Sequence, residues 1–199
     1  MGDKHLAGNY RPVSLTSVSS KLLEHIIFSH LRSHLNHNKI LSNLNYGFRS
    51  VFSCKTQLIT TLHDFGKSFD QNIQTDIAIL DFSIAFDTVP HRKLLYKLKQ
   101  YGIKGSLHKW LAKFLAQRQM RVVIDGQLSS EASVVSGVPQ STVLGPLLFL
   151  CHINDLPSTV RSQARLFADD CLLYRENHSR QDHIILQQDL QRLETWAGQ

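Results

Sequence analysis

The chain has 199 residues, 42% of them hydrophobic, enough for one substantial core and a smaller companion lobe, which excludes a disordered chain. Its 22 Lys+Arg against 16 Asp+Glu give a formal charge of +6 at pH 7, a surplus that suits a polyanionic partner such as nucleic acid. Three cysteines, Cys54, Cys151 and Cys171, stand far apart in no Cys-x-x-Cys spacing, which argues against a disulfide framework or a cysteine zinc site and for reduced thiols in an intracellular protein.

The opening MGDKHLAGNY lacks the apolar core of a signal peptide, and the longest apolar run, VLGPLLFLCHI, is too short and too Pro-interrupted to span a bilayer. No membrane partner is expected. From Ser19 to about Asn38, Leu22, Leu23, Ile26, Ile27, Leu31 and Leu35 recur at helical spacing, with Ser19 or Ser20 available as N-cap. His30 and His34 share a face of that helix with His37 nearby, but no acidic third ligand follows, so they read as solvated histidines. A polar loop through Tyr46-Gly47-Phe48-Arg49 leads to a second helical pattern carrying Leu58, Ile59, Leu62 and Phe65, and DIAILDF then reads as a short strand.

Pro90 opens another helix at its first turn, with Gly102 at its C-terminal cap. A further helix runs from Ser106 toward Gln117 and buries Leu107, Trp110, Leu111 and Phe114. MRVVI and a segment ending ASVV follow as antiparallel strands joined by Asp125-Gly126. Then SGVPQSTVLGPLLFLCHINDLP makes a loop and an apolar helix, RLFADDCLLY a hairpin, and IILQQDLQRLETWAGQ a final helix. Mixed helices and antiparallel strands in this order predict an α+β layer.

The hairpin places Asp169 and Asp170 side by side at or near its turn, and Asp81 ends the strand DIAILD. Asp is common in turns, so Asp169-Asp170 alone reads first as a plain hairpin turn. Carboxylates converging on one sheet edge, however, repel one another unless cations hold them, and they supply the hard oxygen ligands that Mg²⁺ takes. Such a site suits phosphoryl transfer.

YRPVSL, NYGFRS, LDFSIAFDTVPH, SGVPQSTVLGPLLF and FADD, in this order and spacing, resemble the successive motifs of the reverse transcriptases of non-LTR (LINE-type) retrotransposons, from about Asn9 to Trp196. The resemblance implies an α+β fold of right-hand polymerase type. An RRM-like antiparallel palm sheet with packed helices is expected over 76–199, and a helical fingers region over 1–75, with fingers elements interleaved around 88–140. By the same resemblance Asp81, Asp169 and Asp170 are the catalytic carboxylates and, with the Phe82 carbonyl, the ligands of two Mg²⁺ ions, for which Mn²⁺ could substitute. Phe86 matches the aromatic gate under the incoming sugar. Arg11 and Arg49 match basic residues that meet the triphosphate or template, a role guanidinium geometry suits. Gly137, Pro139 and Gln140 match the loop beside the nascent base pair. Asp87 falls in the AFD signature without a metal role; it reads equally as a helix N-cap or turn residue.

Three departures stand out. Ser141 replaces the Gly of the family's PQG, a substitution that costs about 1 kcal/mol if the position needs positive φ, and is harmless if Ser141 caps the next helix. Ile84 replaces the Lys of DFSKAFD and removes a nearby positive charge. The chain stops after TWAGQ, so thumb and endonuclease segments of the polyprotein are expected to be absent. The expected activity is RNA-directed DNA polymerase, with RNA template, DNA primer and dNTPs as partners, in nucleus or cytoplasm. The alternatives are a catalytically inert remnant that binds nucleic acid and a metal-dependent nuclease, the last leaving GFR and the Pro-Gln loop unexplained.

Overall fold

The computed structural model describes residues 13–198 apart from 83, 117 and 125. Helix α1 spans Val18–His37, α2 Cys54–Asp70, strand β1 Gln74–Asp81, α3 Ala85–Thr88, α4 His91–Gln100 and α5 Gly105–Ala116. Four two-residue strands follow, β2 Gln119–Met120, β3 Val123–Ile124, β4 Gln127–Leu128 and β5 Ala132–Ser133; then come α6 Gly145–Ile153, β6 Gln163–Phe167, β7 Asp170–Asn177 and α7 Arg180–Ala197. The mixture of helices and antiparallel strands is the architecture expected from the patterning. Two compact units are interleaved in sequence, one formed by 1–34 and 86–148, the other by 35–85 and 149–199.

In the second unit β1, β7 and β6 form an antiparallel sheet in that order. Its strands bury Ala164, Leu166, Cys171 and Leu173, and α7 contributes Leu186 and Leu193 to the core. The capping box at the start of α7 pairs Ser179 with Asp182, satisfying amides that the first helical turn leaves open. Helix α2 departs from the expected orientation. Leu58, Ile59 and Leu62 are exposed, whereas Thr61 and Ser68 are buried and Asp64 reaches the sheet. The reason is electrostatic: the sheet carries the buried Arg165, so the helix turns its polar side inward to meet it.

In the first unit α4 and α5 pack together, burying Leu94, Leu98, Leu111 and Leu115. Leu107, Trp110 and Phe114, expected in the core, are half-buried, and Trp110 stacks on Phe114 at 5.2 Å. The hairpin around Gly126 pairs β3 with β4 and β2 with β5, both antiparallel as expected. On α1, Leu31 and Leu35 are buried but Leu22, Leu23 and Ile26 are exposed, and Glu24 occupies the buried face instead. The helix begins earlier than Ser19: Ser17 Oγ accepts from the Ser20 amide and acts as the cap. Among the described residues no helix is long and apolar enough to cross a membrane.

Candidate active site

Asp81 closes β1 and Asp170 opens β7, and the two are direct partners across the antiparallel pair. Residues paired in this way project to the same face of the sheet, so both carboxylates stand at one end of one face. Asp169 lies in the two-residue turn between β6 and β7, and its carbonyl accepts a hydrogen bond from the Phe82 amide at 3.1 Å. The backbones of three aspartates separated by up to 89 positions in the chain thus come to one end of the β1–β7–β6 sheet. No hydrogen bond or ion pair holds the side chains of Asp81 or Asp169 among the described residues.

The turn is built on a glycine. Residues 44–46 run parallel beside β6: the Tyr46 amide donates to the Leu166 carbonyl and the Leu166 amide to the Leu44 carbonyl, both at 2.8 Å. This brings Gly47 beneath the turn, where a Cβ would clash with the backbone nitrogen of Ala168. Only glycine leaves that space. Ala168 itself takes a left-handed φ of 55° to close the hairpin.

Farther along the same strands a buried arginine ties three segments together. Arg165 donates to Asp64 at 2.5 Å, Tyr174 at 2.8 Å and Tyr46 at 2.9 Å, while the Tyr174 hydroxyl also bonds Asp64. Burial pushes the Tyr174 phenol up to about 12, and the Asp64 hydrogen bond adds to it. Burial would raise the Asp64 carboxyl, but the bonds from Tyr174 and Arg165 outweigh it and hold the group below its ordinary range. The network carries no unpaired charge, so it stiffens the sheet that bears the aspartates.

The remaining expected site residues divide between the units. Arg49 donates to the Ser42 carbonyl at 2.5 Å and lies 4.5 Å from the centroid of the Phe52 ring, so its guanidinium is engaged within its own loop. The Phe82 carbonyl accepts from the Ala85 amide at 3.0 Å, which leaves one lone pair. Ile84 is exposed with φ at 58°. Arg11 lies outside the described residues.

Phe86, Asp87 and the Pro-Gln loop belong to the first unit, where the loop is laced to 86–91. The Val138 amide donates to the Phe86 carbonyl at 2.7 Å and the Gly137 amide to the Val89 carbonyl at 2.8 Å. Gly137 has φ of 87°, and a Cβ there would come within 2.7 Å of the Asp87 carbonyl oxygen. Pro139 is buried; Gln140 is half-buried and donates to Asp87. Ser141 does not cap the next helix. It is exposed with φ of 60°, and Thr142 takes the capping role, accepting from the Gly145 amide at 3.1 Å. Glu24, fully buried on α1, accepts from the amides of Val143 at 2.9 Å and Leu144 at 3.1 Å. Sequence reading assigned Glu24 no role, although it falls seven residues before Leu31 on the same helical face, a spacing that marks a buried carboxylate.

A family model described as reverse transcriptase (RNA-dependent DNA polymerase) matches residues 2–199. The chain belongs to the reverse transcriptase family. The probable RNA-directed DNA polymerase from transposon X-element of Drosophila melanogaster is 32% identical over 95% of this chain, and that from transposon BS of the same organism 30% identical over 95%. The RNA-directed DNA polymerase from mobile element jockey of Drosophila melanogaster is 32% identical over 75% of the chain. The matched part covers 21%, 22% and 16% of those proteins, so this reverse transcriptase chain spans about a fifth of their length.

The family's chemistry calls for divalent cations. Among the described residues no group of three or more His, Cys, Asp or Glu side chains is gathered as a metal cage. The donor set at the turn nevertheless fits Mg²⁺, an ion commonly held by one or two carboxylates while water and substrate phosphates complete its shell. Asp81 and Asp169 offer such oxygens, uncommitted to any protein donor among the described residues.

Proposed function

We propose that this reverse transcriptase chain carries the nucleotidyl-transfer site of an RNA-directed DNA polymerase, adding dNTPs to a DNA primer on an RNA template. The observation that carries the reading is the register of Asp81 opposite Asp170, with Asp169 tied by its carbonyl to the residue after β1. In this reading 76–199 is the palm, built on the β1–β7–β6 sheet, and 1–75 supplies fingers, with fingers elements interleaved around 88–140.

Each residue then has a physical task. Asp81 and Asp169, assisted by Asp170, would hold two Mg²⁺ ions, or Mn²⁺ in their place, and the Phe82 carbonyl would add a lone pair. When bound, such a pair supplies Lewis acidity toward the primer 3′-hydroxyl and the departing pyrophosphate. The Phe86 ring would crowd a 2′-hydroxyl and so favour dNTPs over rNTPs. By the motif match Gly137, Pro139 and Gln140 would serve the nascent pair and Arg11 would serve phosphate, as would Arg49 once its guanidinium leaves the Ser42 carbonyl. The 3′-oxygen would bond to the α-phosphorus as the bond to the α–β bridging oxygen breaks, so the nucleotidyl group joins the primer, pyrophosphate leaves with the bonding electron pair and the hydroxyl proton passes to solvent.

The test is Mg²⁺-dependent dNTP incorporation on a primed RNA template, by the chain itself and by a chimera in which it replaces the matching segment of the X-element polymerase. Incorporation abolished by Asp169→Ala is the expected result; incorporation indifferent to that change removes Asp169 from the chemistry. A second reading, an inert copy that only binds nucleic acid, is favoured by the left-handed φ of Ser141 where the family carries Gly. It predicts salt-sensitive RNA binding with no synthesis, and synthesis restored by Ser141→Gly would trace the defect to that loop.

A further inference from the structure

The sequence leaves Asp87 without a metal role and offers it a cap or turn instead; the structure sets it inside α3 and gives it a partner. Asp87 Oδ2 accepts a hydrogen bond from Gln140 Nε2 at 2.8 Å. The two backbones are locked in register around this pair. Ser136 Oγ donates to the Asp87 carbonyl at 2.8 Å, His91 Nε2 lies 2.8 Å from the Gly137 carbonyl, and Gly137 is pressed against Asp87 with no room for a side chain.

An ionised carboxylate only accepts, so it selects the amide nitrogen of Gln140 and turns the amide oxygen the other way. A glutamine without such a partner presents its NH₂ or its C=O with little preference. We propose that Asp87 is a positioning residue that locks the flip of the Gln140 amide, so that Oε1 is offered as an acceptor to a hydroxyl or N–H donor of the incoming nucleotide. The proposal rests on the polymerase reading above and deepens it, by naming the hydrogen-bonding polarity of one substrate contact.

The test is steady-state dNTP incorporation on a primed RNA template by the unmodified chain, Asp87→Asn, Gln140→Ala and the double variant, with the Gln140 side-chain amide observed by ¹⁵N NMR. Asn is isosteric but can donate, so the flip is no longer enforced. Asp87→Asn is expected to raise KM for dNTP on the order of tenfold, with kcat nearly unchanged, and to move the Gln140 amide resonances. In the Gln140→Ala background the same change should add nothing. An unchanged KM, or effects that add in full, would overturn the proposal. If neither the unmodified chain nor the X-element chimera incorporates nucleotide, the polymerase reading falls; the resonances then decide the Asp87–Gln140 pair, and their indifference to Asp87→Asn would refute it.

Discussion

Ile84 and Ser141 hold φ at 58° and 60°, in the left-handed region that L side chains enter at a cost of about 1–2 kcal/mol. For Ile84 the cost is the heavier, because a β-branched side chain is the worst fitted to that region. Asn tolerates it and avoids the chain entropy that Gly forfeits, so Ile84→Asn should raise stability by about 1 kcal/mol in urea unfolding. Ser141→Gly relieves the same strain but gives back roughly 0.5–1 kcal/mol of unfolded-chain entropy. Its stability gain should therefore be about half as large. Both positions are exposed, so neither change disturbs packing, and a loss of stability in either variant would show that the left-handed backbone is not strained there.

At the scale of elements, Glu24 joins α1 to the entrance of α6, accepting from the amides of the two residues just before that helix while its second oxygen is buried without a partner among the described residues. Glu24→Ala removes both bonds from a buried site and should cost about 2–4 kcal/mol, whereas Glu24→Gln keeps an acceptor and should cost less than half of that; thermal unfolding of the two variants measures the difference. Most elements were legible in advance. The helical stripe of 19–38, the strand DIAILD, the hairpin at Gly126 and the acidic turn all appear within a few residues of their expected bounds, because local spacing determines them; Asp125 of the expected Asp-Gly turn lies outside the described residues. The aspartates could be foreseen at one strand end since both follow short apolar strands. What periodicity could not supply was the orientation of α2. That face is chosen by Arg165, a hundred residues away, and no local pattern announces a buried arginine. Nor could spacing reveal that Asp87 and Gln140 are bonded, or that Thr142 rather than Ser141 is the cap, since both depend on how the loop folds against 86–91.

Over the molecule as a whole, acid sensitivity follows from carboxylates that anchor elements of the second unit. Asp189 on α7 is fully buried and accepts from the amides of Arg161 at 3.0 Å and Ser162 at 2.7 Å, and from Arg192 at 2.5 Å. Burial works to raise its pKa, but the bonds from Ser162, Arg161 and Arg192 prevail and leave it lowered, as for Asp64. A carboxyl with a lower pKa folded than unfolded contributes stability above the unfolded value of about 3.9, and loses it as pH falls through the folded value. The urea midpoint should therefore decline as pH is taken below about 4, and Asp189→Asn should flatten part of that decline while lowering stability at pH 7. An identical acid profile in Asp189→Asn would remove this residue from the account. The seat of Gly47 under Ala168 bears on heredity. The acidic turn cannot be transplanted alone, because a host offering anything larger than hydrogen at the facing position would push the aspartates out of line. What is inherited is the pair of segments, and a drifting copy of the gene can forfeit its chemistry at a glycine codon as readily as at an aspartate.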